Sequence, residues 1–167
     1  MVPIVGWSSN VQMSNDADTR VVALGVSSNS PTSTITGSNT TVTGALARYD
    51  THGGYVPATG LYTVPISGYY DIFAHLEVDS TVAAGKSLNA TIFVNGADTD
   101  NSTSQGPNVA TQGRMFLDIK GTGYYNAGTT IGIRVNTNGA SPTFTPGTYT
   151  FIVNRMSGPS IIAASES

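Results

Sequence analysis

Apolar and polar residues alternate strictly after Gly68. Tyr70, Ile72, Ala74, Leu76 and Val78 fall on one face, and Tyr69, Asp71, Phe73, His75 and Glu77 on the other. A period of two sustained over that length predicts a long, half-buried β-strand. Just upstream, Gly60 and Pro65 cut the chain into short extended pieces. Gly68 then offers a turn conformation that other residues avoid, delivering the chain into the strand in register.

The same grammar recurs downstream. Leu88, Ala90, Ile92 and Val94 share a face and end at Asn95-Gly96, a strong hairpin signal. Met115, Leu117 and Ile119 oppose Arg114, Phe116 and Asp118. Ile131, Ile133 and Val135 precede a second Asn-Gly at 138–139, and Tyr149, Phe151 and Val153 line the last segment. "TRVVALGVSS" and "TVTGALARYD" read as two weaker strands near the start, and no segment carries a helical stripe. Eight to ten short strands with turn residues between them predict an antiparallel sandwich or barrel in one domain. Two stretches read as long polar loops, 27–41 and 97–112, and residues 158–167 form a tail with no strand partner.

Composition narrows the functional classes. Charged residues make up 10% of the 167-residue chain, against about 25% in average globular proteins. The hydrophobic share of 39%, with eight tyrosines and five phenylalanines, supplies a core. The surface is therefore hydroxyl-rich rather than ionic, as in many extracellular and viral β proteins. Seven scattered Lys and Arg against ten acids form no cationic patch, which excludes nucleic acid. No apolar run is long enough to span a membrane, and "MVPIVGWSSN" lacks the cationic start of a signal peptide. The absence of cysteine excludes disulfides, thiol catalysis and cysteine-ligated zinc. A surface-type composition without a secretion signal fits release by cell lysis, as virions are released.

Several residues are candidates for chemistry. Phe73, Phe93 and Phe116 each sit at polar parity on separate strands, which points to a second buried surface. Burying each ring would contribute about 1.5–3 kcal/mol. Asp50 and His52 in "YDTH" have the spacing of a base and its orienter, but no nucleophile motif accompanies them, so no catalytic residue is assigned. Asp98 and Asp100 in "ADTDNS" are weak calcium candidates, since oxygen ligands in a loop suit that ion; the string lacks the glycine and terminal glutamate of an EF-hand. No cofactor is expected.

"YDTHGGYVPATGLYTVPISGYYDI" resembles the jelly-roll superfamily of complement subcomponent one-q heads and tumour necrosis factor (TNF). The matching residues are Tyr49-Asp50, Gly60, Tyr62, Pro65, Gly68 and Tyr70, followed by Val94-Asn95-Gly96, Ala127-Gly128 and Phe151. The similarity covers residues 40–157 of a domain spanning 1–157, and in wording is nearest to versions from phage structural proteins. It implies a ten-stranded jelly roll that assembles as a homotrimer. Tyr69, Phe73, His75, Phe93 and Phe116 are then the interface candidates.

The expected function is a non-enzymatic bacteriophage capsid decoration protein on the virion surface, because no segment is left for a fibre's stalk. Pro3, Ile4, Trp7, Ile161 and Ile162 would dock on the major capsid protein or another virion protein. The alternative is the receptor-binding head of a phage fibre. Asn101, Gln105 and Asn108 in the 97–112 loop would then meet a host-surface glycan or receptor.

Overall fold

The computed structural model describes residues 21–29, 31, 35–36, 39–82, 87–105, 111–137 and 143–157. They form twelve β-strands and no helix: β1 (Ala23–Ser28), β2 (Ile35–Thr36), β3 (Thr40–Thr41), β4 (Leu46–Asp50), β5 (Tyr55–Val56), β6 (Leu61–Thr63), β7 (Gly68–Val82), β8 (Leu88–Val94), β9 (Ala97–Gln105), β10 (Thr111–Tyr125), β11 (Thr130–Thr137) and β12 (Thr143–Ser157). They build two antiparallel sheets. The first runs β10-β7-β12-β1-β4, with β2 also on β12; the second runs β5-β6-β11-β8-β9, with β3 also on β11. The count exceeds the eight to ten expected because β2, β3 and β5 are two-residue strands too short to show a period.

The core lies between the sheets. Tyr70, Ile72, Ala74 and Leu76 of β7 face Leu88, Ala90, Ile92, Ile131, Ile133 and Val135 of the second sheet, and all are buried. Alternation placed them there, since side chains two apart on a strand share a face. Three core tyrosines, Tyr55, Tyr62 and Tyr149, have buried hydroxyls. Burial pushes the Tyr55 phenol up to about 12 and also raises those of Tyr62 and Tyr149, where loss of the hydration of a phenolate is the largest cause.

Turn chemistry agrees with the sequence at Asn95-Gly96. Both residues have positive φ, 49° and 83°, and Val94 pairs directly with Ala97. That is the two-residue hairpin such a dipeptide favours. Gly60, with φ 68°, is a second requirement, because a Cβ there would collide with the carbonyl oxygen of Val42. Gly68 differs from expectation. It is the first residue of β7, opposite Tyr125, and is not among the glycines with positive φ.

Both predicted loops contain strand. Ala97–Gln105 is β9, the edge of the second sheet, paired with β8 alone. An edge strand tolerates hydroxyl and carboxylate side chains along its length, so no apolar alternation marks it. A register shift between Thr91 and Phe93 interrupts the pairing, and there Thr99 Oγ1 donates to the Ile92 carbonyl at 2.7 Å. The 27–41 stretch likewise holds the end of β1 together with β2 and β3.

Candidate functional site

The sandwich has two outer faces of opposite chemistry. On the first sheet, β10, β7 and β12 place their polar-parity side chains outward. Register sets Phe73 beside Lys120 on one neighbour and Ile152 on the other, and Asp71 beside Asn154. These residues and Ile72 line a depression of about 350 Å³. Its floor is half-buried Phe73 with the Lys120 ammonium 5.9 Å from the ring centroid. Asp71 and Asn154 give it polar walls.

Aromatic side chains project on either side of this depression. Tyr69 and Tyr124 meet edge to face at 5.2 Å and remain 51% and 43% exposed. Phe116, 47% exposed, stacks on His75 at 6.1 Å, and His75 Nδ1 lies 2.8 Å from Asp118 Oδ1. Four of the five interface candidates, Tyr69, Phe73, His75 and Phe116, thus share one outward surface. Lys120, Tyr124, Ile152 and Asn154 join them there. Ile152 carried a signal in the sequence, being an aliphatic residue at polar parity just as the phenylalanines were.

Phe93 is the exception. It belongs to the other sheet and is only 3% exposed within the single chain. Its ring fills the space left by the missing side chain of Gly132, against Leu61, and the Arg134 guanidinium covers it at 4.1 Å. A cation over a ring contributes about 0.5–2 kcal/mol. Phe93 therefore has no free face for a partner.

The outer face of the second sheet is polar and internally bonded. Arg134 Nη1 donates to the Gly96 carbonyl at 2.9 Å and to Asp98 Oδ1 at 3.2 Å. Asn39 donates to Asp98 Oδ2 at 3.1 Å, Asn136 to Asn39 Oδ1 at 2.7 Å, and Asn89 to Asn136 Oδ1 at 3.0 Å. Both oxygens of the calcium candidate Asp98 are engaged in this way, and Asp100 stands exposed on the same edge strand. Among the described residues no group of three or more His, Cys, Asp or Glu could hold a metal.

The remaining candidates separate. Asn101 turns inward, its side chain packed against the Cα of Gly121 on the opposite sheet, which does not suit a receptor contact. The Gln105 backbone pairs with Leu88, and Asn108 lies outside the described residues. So do Pro3, Ile4, Trp7, Ile161 and Ile162. At "YDTH", Asp50 accepts backbone N–H groups from Tyr55 at 2.8 Å and His52 at 3.3 Å, while His52 Nδ1 faces Thr51 Oγ1 at 2.7 Å. The carboxylate organises a turn.

Two antiparallel sheets with the order β10-β7-β12-β1 and β6-β11-β8-β9 define a jelly-roll sandwich. The chain has the fold of the complement one-q and TNF superfamily. It is similar to the globular domain of zebrafish complement 1qA protein, with a TM-score of 0.62 and 12% identity over 82% of this chain and 98% of that one. Murine APRIL gives 0.57 and 14%, over 81% and 99%, and Eiger TNF from S. frugiperda gives 0.59 and 9%, over 84% and 95%. No protein-family model matches the chain, and no curated protein matches it by sequence.

Proposed function

We propose that the protein is a non-enzymatic, homotrimeric decoration protein on the outer surface of a bacteriophage capsid. The observation that carries the assembly is the contrast between its two faces. The first sheet exposes Tyr69, Tyr124 and Phe116 around a depression floored by Phe73. The outer face of the second sheet keeps its Phe93 ring covered. Large aromatics around an apolar hollow with a polar rim have the anatomy of a protein interface. A heterologous contact that closes around a three-fold axis would bury this surface in all three copies. The virion assignment is supported by the uncharged, hydroxyl-rich composition and the resemblance in wording to phage structural proteins. The apolar stretches around Pro3–Trp7 and Ile161-Ile162 would meet the major capsid protein.

Light scattering on the purified protein is expected to give three times the chain mass; a monomer at micromolar concentration would refute the assembly. Phage particles stripped of the protein are expected to leak DNA sooner under heat or low salt, with adsorption to host cells unchanged. Binding to the assembled shell alone stabilises that state by mass action. Normal shells combined with lost adsorption would instead make the protein the receptor-binding head of a fibre.

A further inference from the structure

We propose that the outer face of the second sheet is a binding face for a neutral, hydroxyl-rich saccharide. Its recognition groups are the side chains of Asn39, Asn89, Asn136, Asp98 and Arg134. They form one directed relay. Asn89 donates to Asn136, Asn136 to Asn39 and Asn39 to Asp98, while Arg134 donates to the same carboxylate from the other side. Hydrogen bonds in such a chain polarise one another.

Each primary amide has two N–H donors and an acceptor oxygen with two lone pairs. The relay uses a single N–H of each asparagine, leaving a second donor on every amide and the Oδ1 of Asn89 outside it. Alternating donors and acceptors on and beside adjacent strands match a sugar, whose neighbouring hydroxyls each donate and accept at once.

Three further features select this ligand class. Asp98 faces Arg134 across 3.2 Å, so the only further charge beside the relay among the described residues of β9 is the exposed Asp100, and an anionic polymer gains nothing from the patch. Its aromatic ring offers no anchor, because Phe93 is sealed beneath Arg134, and the exposed Val56 lies away from it on the edge strand β5. A protein partner would ordinarily seat on exposed aromatic or aliphatic side chains. Finally, the side chains are fixed in place although Asn39 and Asp98 are exposed. Holding a polar side chain in one rotamer costs conformational freedom, and an exposed hydrogen bond returns little net stability. A surface needing solubility alone would leave these groups to water. The array lies on the sheet opposite the aromatic surface.

The test is affinity electrophoresis of the intact protein in native gels containing dextran, mannan or galactan, with dextran sulfate as the charged control. At least one neutral polymer is expected to retard the protein, and dextran sulfate to leave its mobility unchanged. Asn136→Ala and Asn39→Ala are expected to weaken retardation roughly tenfold or more, the equivalent of about 1.4 kcal/mol. Circular dichroism establishes that each variant is folded. If none of the three neutral polymers retards the wild type, or if both asparagine variants are retarded like it, the proposal is overturned. Retardation by dextran sulfate alone would also overturn it.

Discussion

Gly132 and Phe93 are complementary across neighbouring strands: a Cβ on Gly132 would stand 2.7 Å from Phe93 Cε1. The register pairs the two residues directly, on β11 and β8. A side chain at 132 must push the ring out from beneath Arg134. Overpacking of this kind costs about 1–3 kcal/mol, and Gly132→Val is expected to lower the urea midpoint accordingly.

Phe116 offers a cleaner test of assembly than a core residue does. Its ring is already half exposed, so Phe116→Asp should leave the protomer folded. Set opposite Glu77 and two residues from Asp118, the new carboxylate would bring unpaired charge into a dry contact, which is strongly unfavourable. Light scattering is expected to fall from three chain masses to one, with an unchanged circular dichroism spectrum.

Asp50 is a structural carboxylate. Asp50→Ala would leave the N–H groups of His52 and Tyr55 without their acceptor. The expected loss is about 1–3 kcal/mol, seen as a lower thermal midpoint. His52→Ala should cost less, since it leaves both of those backbone bonds in place.

Alkaline pH should unfold the protein through its core tyrosines. Burial raises the phenols of Tyr55, Tyr62 and Tyr149, that of Tyr55 to about 12. The unfolded chain sheds these protons near pH 10, where the native state still holds them. Their contribution is therefore complete below about pH 10 and is lost as pH rises toward 12, at about 1.4 kcal/mol per pH unit for each such group. Phenolate absorbance from these residues should appear together with loss of the β-sheet signal, and Tyr149→Phe should move the transition to higher pH.

The strands with one buried face were legible because burial imposes the period: Tyr70 to Leu76, Ile131 to Val135 and Tyr149 to Val153 all lie where alternation puts them. The edge strand β9 was not, since its side chains follow no apolar alternation and its bulge shifts the period midway. Phe93 misled for a related reason. Parity correctly gave it an outward direction, but its cover comes from Gly132, Leu61 and Arg134, whose proximity only the fold creates. The same holds for Asn39 and Asn136, 97 residues apart yet hydrogen-bonded.

In the first sheet, β12 is the strand that joins β7 to β1, pairing with β7 along most of its length and with β1 from Tyr149 to Asn154. It is also the last of the twelve strands in chain order. On the ribosome, then, β1 and β7 must wait unjoined until residues 143–157 have emerged. Folds dominated by such distant pairings mature in milliseconds to seconds, and completion of this sheet waits for β12. Because the aromatic surface is shared by β7, β10 and β12, copies cannot recognise one another through it before β12 has emerged.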